Sequence, residues 1–312
     1  MLAFLPAPIR GALGFSLFIL NTLFWCLPLY AVLPLKLAIP RPGWHEIYSR
    51  LLARIAEAWI EGNNAILGLT QRIEWDVLGL EGLRRDGWYL VSANHRSWVD
   101  IVVLQRVLNR RIPFLKFFIK RPLIWVPLLG GAWWALDFPF MKRHSAAYLV
   151  RHPEARDQDW STTRRMCERF RDTPTALLNF LEGTRFQADK HARQKSPYRH
   201  LLRPKTGGLA AVLEALADRV RVLLDVTIVY PDGRASFPDL FSGRIRRVIV
   251  RVRQLPIPAE LSVGDYRRDP GFRAATKAWV NRLWADKDAL IGQLLDPAAA
   301  APSPPVSSGR RF

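Results

Sequence analysis

Two cysteines in 312 residues are too few for a disulfide framework. Cys26 lies in an apolar run and Cys167 in a helix-like stretch, with no CxxC spacing or ligand cluster nearby. Both read as free thiols in a reducing compartment, and no metal site is expected. Acidic residues are also scarce. The chain has 27 Asp and Glu against 46 Lys and Arg, a formal net charge of +19. Such an excess points to a polyanionic partner, either nucleic acid or an anionic membrane face. No recognised nucleic-acid-binding motif and no internal repeat is present, which argues against nucleic acid. Charge itself is missing from Gly11 to Leu35, a run of 25 residues between Arg10 and Lys36.

That uncharged run is long enough to cross a bilayer, for which about 20 apolar residues suffice. A secretory signal would have a shorter apolar region and a small-x-small cleavage site, and neither is found. Pro28 and Pro34 would either kink a crossing helix or fold the segment into a hairpin on one face. Both geometries stay open. Because nearly all positive charge follows the run, the main domain is expected on the cytoplasmic side of the inner membrane. Five regions follow: a membrane-anchoring segment (1–43), an amphipathic helical linker (44–72), an α/β domain (73–257), C-terminal helices (258–296) and a disordered tail (297–312). The linker's apolar positions, Ile47, Leu51, Leu52, Ile55, Trp59 and Ile66, suit packing on the domain, with the membrane interface as the other use.

Within the α/β region, strand-like runs are expected near 73–78, 88–93, 114–119, 176–181, 220–230 and 247–253. In the last, valines alternate with arginines, which predicts a half-buried strand with a basic outer face. Helices are expected near 98–109, 159–171 and 207–218, and again after Asp269-Pro270, with an interruption around 285–287. Strands alternating with helices imply a single sheet flanked by helices, with sites at strand ends. The stretch 121–134, rich in Trp, Pro and Gly, would either line an apolar pocket or dip into an interface, or form a buried helix over the sheet.

The chemistry centres on Asn94-His95-Arg96-Ser97-Trp98-Val99-Asp100. A strand delivers the chain to His95, and a carboxylate follows five positions later. On one regular helix the two would lie about 140° apart. They meet only if His95 sits in the loop and Asp100 in the first turn of the helix. A His oriented by a carboxylate is a general base. The competing reading makes Ser97 the N-cap and Asp100 the reciprocal acid of a capping box, with His95 an ordinary loop residue. Spacing alone leaves both open.

Two further stations follow strand-like runs, Phe138 to Arg143 and Glu182-Gly183-Thr184-Arg185, and all three can lie along one edge of a single sheet. Residues 185–205 are strongly basic. At this point the chain resembles the glycerolipid acyltransferases, over roughly residues 70–232. That family shares an Asn-His-x-x-x-x-Asp block, a second block ending in Arg and a third reading Glu-Gly-Thr-Arg. The resemblance is closest to bacterial inner-membrane members and to lysophosphatidate and lysocardiolipin acyltransferases.

The resemblance implies that His95 deprotonates the acceptor hydroxyl and Asp100 holds its tautomer, with Asn94 and Ser97 in support. Arg143 and Arg185 would pair with the acceptor's phosphate. Glu182 would position Arg185 or the acceptor, Gly183 would let the backbone approach, and Thr184 completes the binding turn. Lys205 is a further phosphate contact. The fourth family block usually carries proline where Thr227 stands here. The implied reaction moves a fatty acyl group from a thioester to a lysophospholipid, 1-acylglycerol-3-phosphate first. The donor would be acyl-CoA or acyl-carrier protein, with no cofactor and with anionic membrane lipids as surroundings. Alternative acceptors are lysocardiolipin and lyso-ornithine lipid. A non-catalytic basic membrane-binding protein is the remaining reading.

Overall fold

The apolar run at 88–93 forms a strand, β2 (Tyr89–Ala93), buried at every position. It is central because β6 (Ala176–Asn179) and β7 (Val222–Val229) pair with it in parallel on either side. A strand covered on both faces reads as a near-continuous hydrophobic run; β2 and β6 do so up to Ser92 and Asn179, while Asp225 and Thr227 interrupt β7. This architecture comes from a computed structural model. It describes residues 2, 4–38, 42–141, 151, 153–216, 218–261 and 264–296.

The sheet has six strands in the order β1-β8-β7-β2-β6-β3, where β1 is Glu74–Leu78, β3 is Leu115–Phe117 and β8 is Arg247–Pro256. All neighbours are parallel except β7 and β8. Helix α3 (Val99–Leu108) covers one face, whose core holds Val91, Leu104, Leu108 and Ile228. Helices α7 (Gly207–Leu216) and α9 (Pro270–Leu295) cover the other, around Leu90, Leu177, Leu213 and Trp284. The fold class is the expected one, a sheet flanked by helices.

Several local expectations change. The uncharged run forms one helix, α1 (Ala7–Ala38), which continues through Pro28 and Pro34 without folding back. The hairpin is made instead with α2 (Pro42–Thr70), which runs antiparallel along it. Asn21 Nδ2 donates to Trp59 O and Asn63 Oδ1, and Trp59 Nε1 donates to Thr22 Oγ1. Gly62 makes the close approach possible, since a Cβ there would lie 2.3 Å from Asn21 Oδ1. Both ends of α1 are tied to the rest of the chain. Arg10 donates to Ser242 O, and Lys36 pairs with Asp137 at 2.8 Å.

The stretch 114–119 is split. β3 stays in the main sheet, while β4 (Ile119–Lys120) pairs in a separate two-stranded ribbon with β5 (Phe140–Met141). The Phe138 block therefore does not lie on the edge of the main sheet. Lys142 and Arg143, which follow β5, lie outside the described residues, as does the tail from residue 297. The Trp-rich stretch is no buried helix. It forms a 3-10 turn (Arg121–Trp125) and a short helix, α4 (Leu129–Ala135), with Trp125 85% exposed and Leu128 and Trp134 also at the surface.

Strand β8 is half-buried as expected, but its arginines are not a free basic face. Arg247 and Arg251 pair with Asp76, and Arg253 pairs with Asp225. Helix α9 runs unbroken through 285–287 because Lys287 turns inward. Its Nζ lies 2.8 Å from Asp225 Oδ1 and donates to Val226 O at 2.5 Å, with both side chains fully buried. Where an interruption was expected, the helix makes a core contact. Lys287→Ala would strand Asp225, with only the half-exposed Arg253 left to face it. The expected loss is about 3 kcal/mol of unfolding free energy, recovered in part by Asp225→Asn in the same chain. Urea unfolding of the single and double variants measures both.

Candidate active site

Three adjacent parallel strands, β6, β2 and β7, end side by side, and the sites gather at their C-terminal ends. Asn94 closes β2 by bonding across to β7. Its Nδ2 donates to Ile228 O and its Oδ1 accepts from Ile228 N–H, each at 2.8 Å. That reciprocal pair fixes where the next residue, His95, leaves the sheet. The imidazole stacks on Phe180, ring centroids 3.9 Å apart and planes 13° off parallel. Its side chain is 13% exposed, enough for one edge to reach solvent.

Asp100, on the first turn of α3, is fully buried and its carboxylate is saturated. Oδ2 lies 2.9 Å from His95 Nδ1 and accepts from the N–H groups of Arg96 (2.6 Å) and Ser97 (2.8 Å). Oδ1 accepts from Tyr230 Oη at 2.8 Å. The two readings of this motif are therefore both realised: the carboxylate caps the helix entry and contacts the imidazole. With Nδ1–H donated to Asp100, Nε2 is the basic nitrogen. Ser97 is not free to act as a nucleophile. Its Oγ accepts from Val99 N–H at 2.8 Å and donates to Ala235 O. It supports the loop one residue before the cap position, which Trp98 occupies.

The turn after β6 carries the third station. Gly183 has φ +68°, a conformation that favours glycine, and a Cβ there would lie 3.1 Å from Cδ of the Lys205 side chain. Glu182 differs from expectation. It is buried and bonds neither Arg185 nor the surface; Oε1 accepts from His95 N–H at 2.8 Å and Oε2 from Leu202 N–H at 3.0 Å. The acid positions the His95 backbone. Burial outweighs these two N–H bonds and pushes the carboxyl up to about 7.

Cations ring the mouth. Arg185 is exposed, its guanidinium 5.4 Å from the Trp98 ring centroid, and Arg96 lies 4.7 Å over Phe186. Lys205 is exposed beside Gly183, and its N–H donates to Leu181 O. Thr184 Oγ1 accepts from Lys190 Nζ at 2.9 Å, which brings a further cation to the turn. His95, Asp100, Glu182, Gly183, Arg185 and Lys205 thus meet at one sheet end. Arg143 lies outside the described residues.

The sequence profile described as Acyltransferase matches residues 74–231, about half of the chain. The chain belongs to the acyltransferase family. The match runs from β1 to the residue after Tyr230 and so contains the whole of this site. Among curated relatives of the acyltransferase, mouse 1-acyl-sn-glycerol-3-phosphate acyltransferase gamma is 26% identical over 214 residues, covering 64% of this chain and 52% of that one. The human delta enzyme is 26% identical over 214 residues, covering 64% and 51%. The chain spans about half the length of the curated relatives it matches. The solved 1-acyl-sn-glycerophosphate (LPA) acyltransferase of Thermotoga maritima shares the fold. Its TM-score is 0.52 at 16% identity, covering 90% of this chain and 97% of that one.

One site residue and one core contact escaped the sequence reading. Tyr230 directly follows the buried strand β7, and a buried Tyr needs a partner for its hydroxyl, so an acceptor nearby was a readable signal. That the acceptor is Asp100, 130 positions away, was not. Lys287 gave no signal beyond sitting on a helix.

The Glu182 carboxyl predicts a pH dependence. Its ordinary value is 4.5 and its folded value about 7, so its neutral form favours the fold. That contribution is whole below about pH 4.5 and is lost as pH rises through 7. Glu182→Gln keeps the shape without titrating. The parent's stability advantage over the variant should therefore shrink between pH 5 and 8. A gap in unfolding free energy that stays constant across that range would contradict the assignment.

Proposed function

We propose that this acyltransferase moves a fatty acyl group from a thioester to the free hydroxyl of a lysophospholipid, with 1-acylglycerol-3-phosphate giving phosphatidate. The observation that carries the reading is the His95–Asp100 pair, held from behind by Tyr230 and opening beside the cationic Gly183–Arg185 turn. His95 Nε2 takes the hydroxyl proton as the oxygen attacks the acyl carbon. The tetrahedral intermediate collapses with cleavage of the carbon–sulfur bond, and the imidazolium returns the proton to the leaving thiolate. Asp100 stabilises that imidazolium and keeps the tautomer. Arg185 and Lys205 face the acceptor's phosphate, where the Arg fork allows two parallel bonds. Arg143 belongs to the same role through its place in the second motif. The donor is acyl-CoA or acyl-carrier protein. The names of the curated relatives support the choice of acceptor.

The acyltransferase works at the cytoplasmic face of the inner membrane. Along α1, Phe15, Ile19, Leu20, Leu23, Phe24 and Leu27 form one exposed apolar stripe at helical spacing. The helix has 32 residues, about 48 Å at 1.5 Å each. Because Arg10 near one end and Lys36 near the other both bond the same body, the helix lies in the membrane plane instead of crossing it. Exposed Trp125 and Leu128 adjoin its far half, where Tyr30 Oη donates to Leu128 O at 2.6 Å. Tryptophan favours that interfacial depth.

Two experiments test these statements. Membranes carrying the parent or a variant receive labelled acyl thioester and a panel of lysolipids. His95→Ala should lose nearly all transfer and Asp100→Asn at least a hundredfold. Arg185→Ala should raise the acceptor KM about tenfold or more with a smaller change in kcat; an unchanged KM sinks the phosphate role. For membrane docking, Leu20→Ser/Phe24→Ser should lower partition onto anionic vesicles at least tenfold. Cysteines placed at Ala12 and Leu35 should react with an impermeant maleimide from the same side of sealed vesicles, and labelling from opposite sides would mean a crossing helix.

A further inference from the structure

Leu202 N–H is one of the two donors that hold Glu182, so whatever fixes Leu202 also bears on His95. Leu202 lies in the loop between α6 (Ala188–Gln194) and α7. It and Leu201 are buried, so the backbone polar groups there need protein partners. Those partners come from α9, which begins well beyond residue 231, where the family match ends. Trp284, fully buried, donates its Nε1–H to Leu202 O at 3.0 Å. One turn further on, Asp288 takes the two N–H groups just upstream, Arg199 into Oδ2 at 2.8 Å and His200 into Oδ1 at 2.7 Å. Positions 284 and 288 share a helix face, so one side of α9 grips the loop at 199–200 and at 202.

Leu202 is thereby fixed on both sides, its carbonyl by Trp284 and its N–H by Glu182. The same helix also acts on Glu182 through charge. Burial raises the Glu182 carboxyl, the His95 and Leu202 N–H groups lower it, and the Lys287 ammonium of α9 also acts to lower it. Packing alone would explain the Trp284 ring, which sits in the core with Leu213 and Val280. It does not explain why the indole N–H, and a carboxylate one turn away, converge on the backbone of the loop that holds Glu182 Oε2.

We infer that α9 is part of the support of the acyl-transfer site, with Trp284 and Asp288 as positioning residues that act through Leu202 and Glu182 on the His95 backbone. From Trp284 to Leu202 to Glu182 to His95, each link is a hydrogen bond of 2.8 to 3.0 Å. The inference rests on the reading of His95 as the general base. Neither α9 residue touches substrate. Loosening either lets the imidazole drift from the acceptor hydroxyl, while the cations at the mouth stay in place. Lys205 in particular keeps its own anchor, its N–H bond to Leu181 O at 2.7 Å.

Steady-state transfer from labelled acyl thioester to 1-acylglycerol-3-phosphate tests this on the full chain in detergent, at a temperature where urea titration shows each variant folded. Trp284→Phe keeps a ring and removes the N–H; Asp288→Ala removes both acceptors of the 199–200 turn. Each should lower kcat about tenfold, the scale of a sub-ångström shift of a reacting group, with acceptor KM within about twofold of the parent. Asp288→Asn, which keeps one acceptor oxygen, should recover part of the loss. Glu182→Gln breaks the same path at the next link. Adding Trp284→Phe to it should therefore cost less than about twofold more, where independent effects would multiply. If Trp284→Phe does not fold, the Asp288 variants and their combination with Glu182→Gln give the reading. The inference is overturned if neither α9 variant lowers kcat, if the loss falls on KM instead, if Asp288→Asn is no better than Asp288→Ala, or if the combined losses multiply. In each of those cases an inactive His95→Ala leaves the general base standing. A His95→Ala protein as active as its parent overturns the base reading, and this inference with it.

Discussion

One buried carboxylate ties the site together. Asp100 takes two backbone N–H groups from the loop that carries His95, the imidazole itself, and the hydroxyl of Tyr230 from the neighbouring strand. Each bond to a charged acceptor is stronger than a neutral one, and leaving any of these donors unpaired in a buried site is costly. The loop geometry, the ring orientation and the register between β2 and β7 therefore share one support. Glu182 supplies a second from the other flank by holding the His95 N–H. The proposed base is thus fixed by two acids from opposite sides, one on its ring and one on its backbone.

How far this was legible in the sequence follows from the range of each interaction. His95 and Asp100 are five positions apart, so helix geometry alone could say when they meet. Gly183 was legible as a sharp turn because only glycine adopts its positive φ without strain. The central strands were legible because burial on both faces leaves a mostly apolar run, broken only at Ser92, Asn179, Asp225 and Thr227. What could not be read are the partners set by topology. Glu182 lies 87 residues from His95, and its acceptor role emerges only once β2 and β6 are neighbours. The same holds for Lys287 and Asp225, 62 positions apart, where a charged residue in a helix reads as solvent-facing until the core claims it. The Phe138 block failed for a different reason. A short apolar run says "strand" but not which sheet, and here the chain leaves the main sheet at Phe118 to build a separate ribbon.

The charge excess is likewise resolved in space. Some of it is structural, as in the arginines of β8 that neutralise Asp76 and Asp225. A further part lies at the strand ends, where Arg185 and Lys205 are exposed beside the Gly183 turn. Helix α1 is uncharged between Arg10 and Lys36, exposes an apolar stripe, and is held against the domain by those two residues. Under the proposed membrane docking, the apolar stripe would meet the bilayer and the cations the phosphates at its surface, and the electrostatic and apolar contributions would act together.

Direct attack by the acceptor hydroxyl distinguishes the proposed general base from a covalent mechanism, and Ser97 Oγ, bonded to Val99 N–H and Ala235 O, is a poor candidate for the covalent nucleophile. The most direct test is to incubate the protein with acyl thioester and no acceptor, then measure its intact mass. General-base catalysis by His95 predicts an unchanged mass and no burst of released thiol. A stoichiometric acyl adduct, on Ser97 or any other side chain, would contradict it.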